Sequence, residues 1–98
     1  MDKLYSIGRK DLPPGLRAAQ LTHACIEWTA THGRPPENLV LLEVEDEGAL
    51  TALLEAVASF PHVVFHEPDL GGEFTALAVS HPDVPRLLSQ LPLALRAA

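Results

Sequence analysis

The sequence predicts an α/β domain: a mixed four-stranded sheet with helices on both faces, in the order β-α-β-α-β-β-α. Three observations predict it. Residues 38–44, NLVLLEV, are nearly all apolar, which suits a central strand covered on both sides. Leu50, Leu53, Leu54, Val57 and Ala58 fall at i, i+3, i+4, i+7 and i+8, the spacing of one helix face. Strand-like and helical stretches alternate along the first two thirds of the chain, which implies parallel strands joined by right-handed crossovers. A chain of 98 residues makes one domain, residues 1–98.

Each element has a local reason. Residues 3–8, KLYSIG, are short and moderately apolar and read as a first strand. DLPPG interrupts it, because two prolines donate no backbone hydrogen bond and Gly15 relaxes the chain. Leu16 to His32 holds no Pro or Gly and mixes Ala18, Ala19, Ala24, Cys25 and Ala30 with Leu16, Leu21, Ile26 and Trp28. This predicts a helix about 26 Å long that small side chains allow to lie close on a sheet. Gly33 suits its C-terminal cap, and Pro35-Pro36 bar continuation. After the central strand, Asp46 is positioned to N-cap the second helix, which Pro61 ends. His62 to Glu67 reads as the third strand, EPDLGG as a turn, and Phe74 to Ser80 as the fourth strand, antiparallel to the third. Asp83 to Gln90 suits a short last helix. LPLAL, residues 91–95, is an apolar tail that must dock on its own chain or on a partner.

Composition narrows the function classes. Hydrophobic residues at 47% and charged residues at 20% exclude a disordered chain, and 5% aromatics leave the core to Leu, Val, Ile and Ala. So small a domain is marginal on burial alone, which favours dimerisation. The single cysteine, Cys25, excludes an intramolecular disulfide and reads as a small apolar residue. Residues 1–8 are too short and polar for a signal peptide, and no apolar run approaches the roughly 18–20 residues of a membrane span. The expectation is a soluble cytoplasmic protein. A net charge of −6 argues against nonspecific nucleic-acid binding, which rests on Lys and Arg neutralising phosphates.

Charge placement points the other way. Arg9, Lys10 and Arg17, three of the seven cations, flank the turn between the first strand and first helix. In open α/β sheets ligands bind outside the carboxyl ends of the strands. Cations beside a helix N-terminus would suit a phosphate; the alternative is a solvated turn with ordinary surface charge. His62 and His66 share one strand face, and His23, His32 and His81 complete the histidines, but no CxxC or HExxH spacing accompanies them, so no metal is expected.

The segment RKDLPPGLRAAQLTHA, residues 9–24, resembles the first signature of type 2 peptidyl-tRNA hydrolases through Arg9, Asp11, Leu12, Gly15, Ala18, Ala19, Gln20, His23 and Ala24. Asp69-Leu70-Gly71, followed by Thr75, Leu77 and Ala78, resembles that family's second signature, an Asp-Ala-Gly turn leading into a strand. The resemblance spans nearly the whole chain. It implies hydrolysis of the ester between a peptide, or an amino acid, and the 3′-terminal ribose of tRNA. It also implies a homodimer and no cofactor. Together with the cations of the basic turn, it gives a site of Asp69, His23 and Thr75 for catalysis and Arg9, Lys10, Arg17 and Gln20 for tRNA. Two positions depart from the pattern: Leu16 stands where the family has a catalytic Lys, and Gly72-Glu73 stand where it has Arg-Thr. The departures raise a second reading of another class, a non-catalytic module that kept the fold and binds tRNA ends or a protein.

Overall fold

The computed structural model describes residues 3–96. Strands β1 (Lys3–Arg9), β2 (Asn38–Val44), β3 (His62–Glu67) and β4 (Glu73–Val79) alternate with helices α1 (Pro14–His32), α2 (Glu47–Val57) and α3 (Pro85–Leu88) in the expected order. The sheet order is β2-β1-β4-β3. β1 and β2 are parallel, while β4 runs antiparallel between β1 and β3. The carboxyl ends of β1, β2 and β3 therefore share one edge with the start of β4. That edge receives the turn into α1.

Helices cover both faces. On one, α1 lays Ala24 and Trp28 on Leu4, Val63, Ala76 and Ala78. On the other, Leu50 and Val57 of α2, Leu88 of α3 and Val84 just before it pack on Tyr5, Ile7, Leu42, Val44, Leu77 and Val79. Gly8 lets α1 lie close where it crosses β1: a Cβ there would lie 3.1 Å from Leu21 Cδ2, so that a side chain would require Leu21 to shift by a few tenths of an ångström.

The element boundaries correct three expectations. The double proline starts α1 rather than preceding it. Pro13 is extended (φ −56°, ψ 150°) and Pro14 opens the first turn, where its missing N–H would have had no partner. α2 ends at Val57, well before Pro61, and Phe60 N–H closes the following turn on Val57 O at 2.9 Å. α3 is a single turn, because Val84 N–H is already bonded to His81 O and Pro85 fixes the start.

Two expected caps are present. Gly33 is left-handed (φ 83°) and returns its N–H to Thr29 O. The Asp46 side chain accepts from Ala49 N–H at 2.9 Å. Asp46→Ala should lower the unfolding free energy by about 1 kcal/mol, read as a shift of the urea midpoint with no change in slope.

The tail docks on its own chain. Leu91 joins the core on the α2 face. Glu43 N–H then bonds Pro92 O at 3.2 Å and Ala94 N–H bonds Leu41 O at 2.8 Å, so residues 92–94 lie antiparallel along the outer edge of β2. No helix among the described residues is long and apolar enough to cross a membrane.

Candidate functional site

The carboxyl edge of the sheet brings the two signatures into contact, although they lie far apart in the chain. A break in the β3–β4 register makes the central contact. Phe65 pairs with Ala76 and His66 with Phe74, which leaves Thr75 as an extra residue. The extra residue reverses the alternation: Phe74 turns to the α2 face, and Thr75 turns to α1.

There the Thr75 hydroxyl donates to Gln20 Oε1 at 2.5 Å. The Gln20 amide donates to Glu67 Oε1 at 2.8 Å, and Glu67 Oε2 accepts the Asp69 backbone N–H at 3.3 Å. Thr75 and Gln20 are buried. The Gln20 hydrogen bond holds the Glu67 carboxyl below the usual carboxylate range; the Asp69 N–H and the nearby His23 act in the same direction. His23 is exposed on the next turn of α1, its ring stacked on Phe65 with centroids 4.6 Å apart and planes 8° apart. Asp69 sits exposed in a single 3-10 turn, Pro68–Leu70, that left-handed Gly71 closes. Gln20, Thr75, Glu67, Asp69 and His23 thus form one group over the β3 side of the sheet.

Two of the three cations of the basic turn face inward. Arg9 is buried; Nε and Nη2 bind the two oxygens of Asp11 at 3.0 and 2.8 Å, and Nη1 binds Glu73 at 2.7 Å and Phe74 O at 3.2 Å. Those hydrogen bonds, Asp11's foremost, raise the Arg9 pKa further and hold the Asp11 carboxyl below its ordinary value. Arg17 donates to Lys10 O and Leu12 O and pairs with the buried Glu43 at 3.1 Å. Lys10 alone of the three stands exposed, with its backbone N–H tied to Val44 O. Most of the N–H donors of Arg9 and Arg17 are thus taken up within the fold.

Arg17 and His23 are also separated. Arg17 pairs with Glu43 of β2, while the His23 ring stacks on Phe65 of β3, and these strands are the opposite edges of the sheet. Thr75, expected to be catalytic, is buried and gives its hydroxyl to Gln20, so it reaches the rest of the group through that side chain. Sequence reasoning takes Glu67 as the end of the third strand and, with Glu73, as a like charge close to Asp69; its part as the acceptor that links Gln20 to the Asp69 N–H is not foreseen there. The available signal was a carboxylate directly before a proline turn, a position that can accept the next free N–H.

Cys25 is half-buried, and burial pushes its thiol pKa up, as suits an unreactive packing residue. Among the described residues, no group of three or more His, Cys, Asp or Glu side chains is placed to hold a metal ion.

The fold and this group define an α/β domain with a polar cluster at the carboxyl edge of its sheet. No family model matches the chain. No curated protein matches it either. Among solved structures, it is similar to a protein of unknown function from Agrobacterium tumefaciens, with a TM-score of 0.72 and 12% sequence identity over 94% of this chain and 96% of that one. At that identity the likeness carries the fold alone.

Proposed function

We propose that the chain hydrolyses the ester joining a peptide or an amino acid to the 3′-terminal ribose of tRNA, as its resemblance to type 2 peptidyl-tRNA hydrolases implies. The observation that carries this reading is the Thr75–Gln20–Glu67 chain of hydrogen bonds, which joins residues of both signatures across the sheet. In this reading Asp69 takes a proton from the attacking water as its oxygen adds to the ester carbonyl. His23 donates toward the oxygen that gathers charge, and as the tetrahedral species breaks its bond to the ribose oxygen, Asp69 returns the proton to that oxygen, releasing the ribose hydroxyl and the free carboxylic acid. Gln20 and Thr75 are positioning residues that fix Glu67 and, through it, the turn bearing Asp69. A homodimer belongs to the same reading, and exposed Leu39, Leu93 and Leu95 near the β2 edge support it.

One observation favours the second reading, a binding module without catalysis. With Leu16 in the Lys position and Arg9 and Arg17 turned inward, no exposed guanidinium of the basic turn is left to meet a phosphate or an oxyanion. Incubation with a defined peptidyl-tRNA separates the two. The first reading expects peptide release that Asp69→Ala lowers about 100-fold or more, the usual weight of a general base, with stability unchanged because Asp69 is exposed. No release by the wild-type chain sinks it. For tRNA binding itself, Lys10 as the one exposed cation of the turn predicts a slope of log affinity against log salt near −1. A slope near −3 would mean that Arg9 and Arg17 swing out to bind.

A further inference from the structure

The acids at the carboxyl edge of the sheet fall into two groups. Asp11 and Glu73 hold Arg9, and Glu43 holds Arg17. Glu67 pairs with no Lys or Arg among the described residues. Its partners are the Gln20 amide at 2.8 Å and the Asp69 N–H at 3.3 Å, both neutral. These hydrogen bonds, Gln20's foremost, hold its carboxyl below the usual carboxylate range, so it is ionised at neutral pH. His23 lies nearby with its ring stacked on Phe65.

This carboxylate is both fixed and reachable. Gln20 is buried and anchored by Thr75, which sets the direction of the Glu67 side chain. Glu67 itself is only half-buried, and Asp69 beside it is exposed. A carboxylate has about four lone-pair positions, so acceptor capacity is left over after the two bonds described. What Glu67 lacks is a positive charge, and that is what a ligand has to bring.

In the ester-hydrolysis reading, Asp69 acts on a water at the ester carbonyl carbon. The amino group of an aminoacyl ester sits on the next carbon, and Glu67 is joined to the turn that carries Asp69. A free amino acid ester presents an ammonium there, and a peptidyl ester presents a neutral amide. A hydrogen bond between charged groups is roughly twice as strong as a neutral one. The amide would displace water from Glu67 without returning a counter-charge.

We propose that Glu67 binds the free α-ammonium of an aminoacyl ester, so that the chain cleaves aminoacyl-tRNA in preference to peptidyl-tRNA; this rests on the ester-hydrolysis reading. Water adds to the carbonyl carbon as Asp69 takes its proton, the bond to the ribose oxygen breaks, and Asp69 returns the proton to that oxygen. The products are a free amino acid and a ribose hydroxyl. Once ionised, the new carboxylate lies beside two others of like charge, which favours its release.

Leucyl-tRNA and N-acetylleucyl-tRNA, the same ester with and without the ammonium, test the proposal. Acceleration over the uncatalysed rate should be about tenfold or more greater for the free amine. Glu67→Gln keeps an acceptor for the Gln20 amide and removes the charge. It should lower kcat/KM for leucyl-tRNA about tenfold, through KM, and leave N-acetylleucyl-tRNA unchanged. If circular dichroism finds that variant unfolded, the ratio of the two esters on the wild type still decides. Equal acceleration, or more for the acetylated ester, overturns the proposal and leaves ester hydrolysis standing. Cleavage of neither ester sinks the hydrolysis reading, and leucinamide against N-acetylleucinamide then decides the ammonium contact. A saturable shift of the Gln20 side-chain amide signal in NMR with leucinamide alone supports it, and no shift overturns it.

Discussion

Arg17→Ala should lower the unfolding free energy by about 3–5 kcal/mol, the cost typical of stranding one member of a buried ion pair. The side chains of Arg17 and Glu43 are only 13% and 7% exposed. Glu43 sits on β2 beside Gly8 of β1, on the face that α1 only partly covers. Without the guanidinium, its carboxylate keeps a single other donor, the Leu95 N–H at 3.4 Å. The same substitution orphans Lys10 O and Leu12 O, which hold the turn into α1. Replacing both partners tests the cause. Arg17→Leu with Glu43→Leu removes the buried charge together with its counter-charge and should recover most of the loss. A double variant as unstable as Arg17→Ala would mean that the turn carbonyls, rather than the stranded carboxylate, carry the cost. Urea unfolding of the single and double variants reads the difference.

That pair also marks where the sequence stops being legible. β2 and β3 run over the residues expected of them, and Gly33 and Asp46 cap as expected, because periodicity, glycine and short polar side chains act within one turn of their own position. Glu43, an acid within an otherwise apolar strand, signals that a buried partner exists. Which cation answers it depends on how β1 and β2 align, and register is a property of two strands together. The role of Thr75 was hidden for a related reason. Plain alternation from Leu77 puts Thr75 on the α2 face, and only the extra residue between the Phe65 and His66 pairings carries it to Gln20. The two signatures could be aligned with a family by residue type, but the same residue types are compatible with opposite directions of a side chain. Arg9 keeps the identity that the resemblance requires while its guanidinium is spent on Asp11, Glu73 and Phe74 O.

The position of Arg9 leads to the second large effect, which has a pH signature. Arg9→Met keeps the apolar stem but removes every donor. It should cost about 2–4 kcal/mol near neutral pH, less than a fully buried pair, because Asp11 and Glu73 are 41% and 45% exposed and can turn to water. The buried Phe74 carbonyl has no such escape from its loss. In the wild type, Arg9 holds the folded pKa of Asp11 below its unfolded value. Such a group binds more protons when unfolded, so its stabilisation is complete above the unfolded pKa, near 3.9, and is lost as pH falls through the lower folded value. Glu67, held down by Gln20, follows the same sign in the same acid window. Removing Arg9 takes away the largest cause of the Asp11 contribution and leaves that of Glu67. The variant should therefore be less stable at neutral pH yet lose stability less steeply below about pH 4 than the wild type. Urea midpoints measured from pH 2.5 to 7 check both halves at once. Parallel acid limbs in the two proteins would mean that Asp11 gains nothing from Arg9 in the folded state, and that the guanidinium serves only the Phe74 carbonyl and the start of β4.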